Sequence, residues 1–366
     1  MSSNIRTVNV LGNKLSKLGF GAMRLPMVNG IVDQAQVNEM VEYALKNGVN
    51  YFDTSFVYCR GNSEAALGIA LEPFDRSSYF LADKMTLWDA DSVEYLETKF
   101  NESLKKLKTD YIDFYLMHSL NELKYEKAKA VGAVEWALEK KKEGKIRHLG
   151  FSIHDDINCL KRILDEYKWD FAQIQYNYLD TEGEPGEEGY NELLKRKIPV
   201  MVMEPLKGGI LADISGDIGE PFRKLGGANI EYAFRWFMDK ENIGVILSGM
   251  NSMEHIVNNI ELFKGIEPLD SEEKAAVLQV CENIRASQRI GCTGCNYCIP
   301  CPMGIKISEC FRAWNTKYMR KNSNWVSGIS FDKDSIKLCT ECGQCAEKCP
   351  QKINIPNKLK ELFKEM

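Results

Sequence analysis

Eight of the twelve cysteines lie in two tight groups near the end of the chain, where their spacing suits metal or cluster binding. Each group holds three cysteines separated by two residues, and then a fourth that is followed by proline. Zinc is the alternative, but a zinc site usually pairs one Cys-x-x-Cys with a distant second pair. Three thiolates on one short loop can surround a cubane, so we predict two [4Fe–4S] clusters. The expected ligands are Cys292, Cys295, Cys298, Cys301, Cys339, Cys342, Cys345 and Cys349.

A second set of reactive residues stands at or just after the ends of apolar, strand-like runs in the first third of the chain. Asp53 and Tyr58 belong to one run, and Lys84 and His118 to the next two. A phenol has a reference pKa near ~10 and donates a proton poorly at neutral pH unless a cation stabilises its phenolate. Lys84 would be that cation, held by Asp53, while His118 would orient a carbonyl by hydrogen bonding. This set suits protonation of a carbonyl oxygen while hydride arrives at the carbon.

Each of these four residues also has a purely structural interpretation. An aspartate at a strand end often caps the next helix, a loop tyrosine often packs, and a lysine can be a solvated charge on the rim. A lone histidine is more often a satisfied core residue than a functional one. Four such residues at three successive strand ends nevertheless favour catalysis.

The surrounding chain alternates strand-like and helix-like segments in a regular order. The strand-like runs are rich in Val, Ile, Phe and Tyr, and several are continuously apolar, as strands covered on both faces must be. Eight such alternations predict a closed (β/α)8 barrel with its reactive groups at the carboxyl ends of the strands. An open doubly wound sheet is the rival, but its usual GxGxxG turn is absent. The predicted strands are LSKLGFG, NYFDT, YFLADKM, YIDFYLMH, IRHLGFSIH, FAQIQYN, PVMVMEPL and IGVILSG.

Three segments outside the barrel strands carry structural predictions of their own. TVNVLGNKLSKL predicts a short hairpin with its turn at Gly12-Asn13, closing the floor of the barrel. TEGEPGEEG predicts an exposed loop on the catalytic rim, because it follows a strand. DSEEKAAVLQVCENIRASQRI predicts a final helix capped by Asp270 or Ser271.

Composition bounds the classes of partner. The 366 residues are 44% hydrophobic and 27% charged with a net charge of −5, as in a soluble globular protein. Lys and Arg form no long basic stripe, so we expect no nucleic-acid partner. No apolar run is long enough to span a bilayer, so we expect no membrane association. The N-terminus lacks the apolar core of a secretory signal, which predicts a cytoplasmic protein.

The candidate catalytic segments NYFDTSFVY, LADKM and FYLMHS resemble the corresponding segments of the aldo-keto reductases. GFGAMRLP and QIQYNYLD are similar to that family too, and the resemblance runs from about Ile5 to Phe263. It implies a barrel that binds NADPH or NADH. Tyr58 would be the general acid, tuned by Asp53 and Lys84, and His118 would steer the carbonyl.

The same resemblance implies a set of cofactor-binding positions, including residues that hold the nicotinamide carboxamide. Some positions depart from the family pattern: Ile153 stands where an Asn is usual, and Met203 where an aromatic residue stacks on the nicotinamide. Gly249 and His255 stand where basic residues grip the 2′-phosphate, and a phosphate without Arg or Lys loses its strongest partner. NADPH preference is therefore not expected over NADH. The implied positions are Gly21, Ala22, Met23, Asp53, Ser152, Gln175, Met203, Glu204, Pro205, Leu206, Lys207, Ser248, Gly249, His255 and Asn259.

The cysteine-rich tail resembles the two-cluster bacterial ferredoxins, in which the fourth cysteine of each group binds the other cluster. This implies one cluster on Cys292, Cys295, Cys298 and Cys349, and a second on Cys339, Cys342, Cys345 and Cys301. We predict a barrel domain over residues 1–285 and a small α+β, ferredoxin-like domain over residues 286–366. The long segment between the groups carries Arg312, Trp314, Arg320, Lys321 and Trp325. It is interpreted as helical packing, with a basic docking face for an acidic redox partner as the alternative.

The combined features predict an oxidoreductase that acts on a small-molecule carbonyl or alcohol. Hydride transfer moves two electrons together and a cluster takes one at a time, so coupling them needs a flavin, a radical or an external partner. A flavin-dependent or redox-partner-coupled reductase, structural clusters, and a redox-sensing regulatory barrel therefore remain alternatives. Substrate identity and oligomeric state are not predicted.

Overall fold

The computed structural model describes residues 5–182, 184–214, 216–319 and 332–365. The chain divides into two compact units. The first comprises residues 1–176, 180–205 and 240–267, and the second comprises residues 177–179, 206–239 and 268–366. The boundaries of these units differ from the predicted domain limits, 1–285 and 286–366, which stay a prediction.

The first unit is built on a closed barrel of eight parallel strands, as predicted. The first and last of these strands pair with each other, through Leu18 and Ile246, and close the barrel. Nearly every residue of the strands is buried, because helices cover the outer face and side chains fill the interior. The strands are Leu18–Gly21, Tyr51–Asp53, Phe80–Met85, Ile112–Leu120, Ile146–Ile153, Phe171–Gln175, Val200–Met203 and Ile243–Ser248.

An N-terminal hairpin, Thr7–Val10 with Asn13–Ser16, packs into this core as predicted, but its turn differs by one residue. Asn13 pairs with Val10, so the turn is Leu11-Gly12 and not Gly12-Asn13. Both turn residues have positive φ, 52° and 82°, which is what a two-residue turn matching the twist of the strands requires. A second hairpin, Met27–Val28 with Ile31–Val32, turns at Asn29-Gly30.

Inside the barrel, side chains from alternate strands stack around aromatic rings. The ring of Phe114 lies between those of Tyr51 and Phe171, and its centroid is 5.2 Å from each of theirs. Val10 and Leu15 of the hairpin belong to the same buried cluster. The hairpin therefore contributes apolar side chains to the barrel core, as the floor prediction requires.

Helices of the first unit bury the apolar stripes seen in the sequence. In Gln34–Lys46 the buried residues are Val37, Met40, Val41 and Ala44. The predicted exposed loop TEGEPGEEG is wrong in part, because its last four residues open the helix Gly186–Lys195 and both glycines there are buried. The other α-helices of this unit are Ser63–Leu71, Val93–Leu107, Glu122–Ala130, Ala133–Lys142, Ile157–Glu166 and Met253–Lys264, and its 3-10 helices are Ala22–Arg24, Tyr58–Gly61 and Arg76–Ser78.

The second unit contains helices and irregular loops in its described residues. Asp270 caps the helix Ser271–Ser287 as predicted, and Glu273 completes a reciprocal capping box. Strands are not found in the described residues of 286–366, so the β component expected of a ferredoxin-like tail is not seen there. The remaining α-helices are Glu220–Leu225, Asn229–Arg235, Ile307–Met319, Gln344–Glu347 and Ile355–Glu365, and the 3-10 helices are Lys207–Ala212, Gly216–Gly219 and Lys333–Leu338.

The helix Ile307–Met319 accounts for the described part of the segment between the cysteine groups. Trp314 is buried and donates to a Glu365 carboxylate oxygen at 2.9 Å, as the packing interpretation expects. Arg312 is exposed. Arg320, Lys321 and Trp325 lie outside the described residues. In the described ranges, no helix is both long and apolar enough to cross a membrane.

Candidate functional site

The four predicted catalytic residues are buried together at the carboxyl ends of neighbouring barrel strands. Lys84 Nζ donates to both carboxylate oxygens of Asp53 at 2.7 Å and to the main-chain oxygen of Thr54 at 2.7 Å. The same ammonium lies 4.8 Å from the centroid of the Tyr58 ring. Burial raises the pKa of Asp53, and the charge and hydrogen bonds of Lys84 oppose that rise. The three side chains thus form one ion-paired, water-poor cluster.

His118 completes the cluster from the next strand. Its ring meets the Tyr58 ring edge-on, with centroids 5.8 Å apart. Burial, and then the positive charges of Lys84 and Lys124, hold the pKa of His118 well below its usual value. The imidazole is therefore neutral at physiological pH.

Two hydroxyls that the sequence analysis missed lie within hydrogen-bonding distance of this imidazole. Ser55 Oγ lies 3.1 Å from His118 Nδ1, and Thr86 Oγ1 lies 3.2 Å from the same atom. Each of these residues follows a predicted catalytic residue, Asp53 or Lys84, by two positions. Each also directly follows a predicted strand, NYFDT or YFLADKM, so its place at a strand end was the available signal.

Several predicted cofactor positions of the first unit lie at or just after the ends of barrel strands. Gly21 ends its strand so close to Ser248 that a Cβ at Gly21 would lie 3.2 Å from the Ser248 main-chain oxygen. Asn259 Nδ2 donates to Ser248 Oγ at 3.1 Å. Ala22 and Met23 follow Gly21 in a 3-10 helix, whereas His255 is exposed in the first turn of the helix Met253–Lys264.

The sequence analysis also missed a cation beside these strand ends, Arg24. Its side chain covers Gly249, where a Cβ would lie 3.2 Å from Arg24 Cδ. The guanidinium forms an ion pair at 3.5 Å with Glu204, which is another of the predicted cofactor positions. Arg24 lies within the quoted stretch GFGAMRLP, but nothing in its spacing indicated where it would point.

Of the remaining predicted cofactor residues, two form hydrogen bonds within the first unit, and the others are divided between the two units. Ser152 Oγ accepts from the Ser119 amide at 2.7 Å, and Gln175 Nε2 donates to Asp180 Oδ2 at 3.0 Å. Met203 ends its strand and is followed by Glu204 and Pro205 in the first unit. Leu206 and Lys207 begin a segment of the second unit.

In the second unit, the predicted cluster ligands surround two cavities. Cys292, Cys295, Cys298 and Cys349 line one cavity. Cys301, Cys339, Cys342 and Cys345 line the other, together with Cys298. The thiols surround these cavities without converging on one point, and no group of His, Cys, Asp or Glu in the described residues is arranged to hold a single ion.

The cysteine loops rest on an apolar core that is continuous with the tail helices. Ile290, Ile305, Phe311, Leu359 and other buried side chains form this core, and six of the eight cysteines pack against it. Gly294 donates its amide to Cys292 Sγ at 3.4 Å. Such amide donors stabilise the negative charge of a sulfur ligand.

Comparisons with known proteins cover both parts of the chain. The sequence model of the Aldo/keto reductase family matches residues 17–282, and that of the 4Fe-4S dicluster domain matches residues 291–354. L-galactose dehydrogenase of Arabidopsis thaliana is 24% identical over 315 residues, which are 76% of this chain and 96% of the relative. NADH-specific methylglyoxal reductase of Escherichia coli (strain K12) is 29% identical over 223 residues, which are 54% of this chain and 65% of the relative.

Solved structures show the same barrel. An aldo-keto reductase of Bacillus halodurans in its holo form is 24% identical with a TM-score of 0.63, and covers 76% of this chain and 96% of its own. An aldo-keto reductase of Klebsiella pneumoniae in complex with NADPH is 22% identical with a TM-score of 0.62, and covers 76% of this chain and 94% of its own. The fold, the buried strand-end cluster and the match over residues 17–282 lead to one conclusion: the chain belongs to the aldo/keto reductase family, and a 4Fe-4S dicluster domain follows its barrel.

Proposed function

We propose that this protein reduces a small carbonyl compound to an alcohol with a nicotinamide nucleotide as the hydride donor, and that Tyr58 delivers the proton. The observation that carries the proposal is the buried Lys84 ammonium, which is bonded to both Asp53 oxygens and lies 4.8 Å from the Tyr58 ring centroid. Removing a cation from water is costly, so a paired cation at this place indicates a role beyond stability.

Asp53, Lys84 and Tyr58 each have a separate role in the proton transfer. Asp53 holds Lys84 in place through two hydrogen bonds, and Lys84 stabilises the negative charge that develops as the phenol loses its proton. The proton passes from the Tyr58 hydroxyl to the carbonyl oxygen, the O–H bond of the phenol breaks, and the O–H bond of the alcohol forms. The bound nicotinamide would supply the hydride that reduces the carbonyl carbon.

His118 orients the carbonyl without supplying a charge. We assign the ring proton of this neutral imidazole to Nε2, an arrangement in which both neighbouring hydroxyls donate to Nδ1. An Nε2–H group can donate a hydrogen bond to the carbonyl oxygen that Tyr58 protonates. A neutral donor also leaves Lys84 as the cation next to the phenol.

The strand ends around Gly21 and Ser248 offer one feature that suits an anionic dinucleotide. Arg24 supplies a guanidinium suited to a phosphate, and its pairing with Glu204 keeps it there in the free protein. One relative is named as NADH-specific and one neighbour is a complex with NADPH, so we propose either nucleotide as the donor.

The tail fits two cubane clusters. We propose Cys292, Cys295, Cys298 and Cys349 as ligands of one, and Cys339, Cys342, Cys345 and Cys301 as ligands of the other. The linings of the two cavities and the match over residues 291–354 support this division. Such clusters would supply one-electron transfer to a redox partner when bound.

A Tyr58→Phe variant tests the proposal, with Tyr51→Phe as the matched control. Tyr51 is a buried phenol of the same segment whose hydroxyl has no hydrogen-bond partner among the described residues. Oxidation of NADH and NADPH should be followed anaerobically with methylglyoxal and 4-nitrobenzaldehyde. We expect Tyr58→Phe to lower kcat/KM about 10²- to 10⁴-fold, as loss of a general acid does. Equal rates in the two variants would show that the phenol is idle.

A further inference from the structure

The first turn of the helix Glu122–Ala130 places a lysine next to His118 at the rim of the barrel. Lys124 Nζ donates to the main-chain oxygen of Ser119 at 2.9 Å and to Ser119 Oγ at 3.0 Å. It lies 5.6 Å from the centroid of the Trp88 ring, and that ring stacks on the imidazole of His118 with centroids 6.2 Å apart. One indole therefore separates the ammonium from the residue that orients the carbonyl.

Lys124 is a partly buried cation without an acidic partner. Across the residues that the structure describes, no carboxylate pairs with its ammonium, and Ser119 accounts for two of its three donors. This partial burial lowers the pKa of Lys124 to about 8. A cation in this condition gains from any anion that reaches its third donor.

The backbone next to His118 is arranged to hold this lysine. Ser119 has a φ of 55°, in the left-handed region that residues other than glycine seldom adopt. Its amide donates to Ser152 Oγ at 2.7 Å, while its carbonyl and hydroxyl both accept from Lys124. Strain of this kind persists where surrounding bonds fix it, and it is common at ligand-binding sites. The ammonium is thus preorganised.

Two further features of the rim suit an anionic, partly apolar ligand. His154 Nδ1 is buried and has no hydrogen-bond partner in the described ranges. Burial, and then the charge of Lys124, lower the pKa of His154 to about 3, so this ring is neutral and can donate one N–H bond. Trp88 is 39% exposed and offers an apolar wall between the ammonium and His118.

We propose that Lys124 binds a carboxylate of the substrate, so that the preferred substrates are carbonyl compounds that carry a carboxylate. The proposal rests on the proposed function and names the substrate class for the same site. One lysine donor and one imidazole suit a carboxylate better than a phosphate dianion, which favours several donors in a fork geometry.

A matched pair of substrates and a matched pair of variants test this assignment. The substrates are 4-carboxybenzaldehyde and its methyl ester, methyl 4-formylbenzoate, which differ in charge and little in shape. The variants are Lys124→Met and Lys127→Met. Lys127 lies on the same helix and donates to the main-chain oxygen of Trp88, so its loss removes an equal charge nearby. Both kcat/KM and the Kd measured by calorimetry without nucleotide are compared.

We expect the full-length protein to prefer the acid over the ester, and Lys124→Met to reduce that preference about 10- to 100-fold, as loss of a charge-assisted hydrogen bond does. Lys127→Met should keep it. Equal Kd values for acid and ester, or equal losses in the two variants, would overturn the inference. Turnover of both compounds without preference would overturn the carboxylate assignment and leave the proposed function intact. A preference for the acid in Kd without turnover would contradict the proposed function and support the anion site.

Discussion

The sharpest structural prediction concerns a glycine that touches the first cysteine loop. Gly208 belongs to the segment Lys207–Ala212 of the second unit, and Thr293 stands between Cys292 and Cys295. A Cβ at Gly208 would lie 2.8 Å from the Thr293 carbonyl carbon and closer still to its oxygen. Carbon atoms pack best about 3.5–4.0 Å apart, so Gly208→Ala must displace the loop by roughly 0.7 Å or more.

The chain offers a matched control in the next residue. Gly208 and Gly209 both have positive φ, 64° and 95°, so alanine is strained at either position. A Cβ at Gly209, however, would meet no atom within 4 Å. We expect Gly209→Ala to destabilise the protein by about 1–2 kcal/mol through the backbone alone. Gly208→Ala should add about 1–3 kcal/mol from overpacking.

The assay compares unfolding free energy and iron content under anaerobic conditions. Two cubanes give about eight irons per chain, and displacement of the loop that carries Cys292 and Cys295 should lower the content of Gly208→Ala towards about four. Gly209→Ala should keep nearly all of its iron. If the two variants match in both unfolding free energy and iron content, the added Cβ at position 208 does not press on Thr293 and the prediction is wrong.

Three further predictions concern Asp53, two of the cluster cysteines and His154. Asp53→Asn leaves Lys84 buried without its anion, so we expect a loss of about 3–5 kcal/mol in unfolding free energy and of carbonyl reduction, measured by denaturant titration and nucleotide oxidation. Cys349→Ser and Cys301→Ser should each lose one cluster, and different ones, so that their electron paramagnetic resonance spectra should be complementary; identical spectra would contradict the proposed division of ligands. The pKa of His154 is lowered to about 3 from an unfolded value of 6.5, so the unfolded state binds the extra proton and stability falls as pH drops below about 6.5. Between pH 7.0 and 5.5 this histidine should cost about 1.2 kcal/mol, and a His154→Gln variant should lack that part of the pH dependence in denaturant titrations.

The barrel was predictable because its strands carry their own evidence. Strands covered on both faces must be continuously apolar, and the runs VMVM at 200–203 and IGVIL at 243–247 have this property in the sequence alone. The Asp270 cap was likewise a local signal, fixed by residues within one turn of each other. Since the strand ends of a barrel converge, placing the strands also placed the candidate catalytic residues.

Features that depend on side-chain direction or on distant contacts were not predictable. The hairpin turn was misplaced because Asn13 fits a turn locally, yet it pairs with Val10 and leaves Leu11-Gly12 to turn. Arg24 gave no indication of its pairing with Glu204, which is 180 residues away in the chain. Lys124 carries no signal of its own in the sequence, and its contacts with Ser119 and Trp88 depend on the fold.

Direct hydride transfer from the nicotinamide to the carbonyl carbon underlies the proposed function, and transfer of an isotope label distinguishes it from other routes. The anaerobic, cluster-loaded protein should be given a carbonyl compound and NADH carrying deuterium on one or the other face of C4, with the product analysed by mass spectrometry. We expect one of the two labelled forms of NADH to place one deuterium on the alcohol carbon. In D₂O with unlabelled NADH, we expect no deuterium on that carbon. Deuterium arriving from D₂O, or absent with both labelled forms, would contradict direct hydride transfer and favour a flavin- or partner-coupled route.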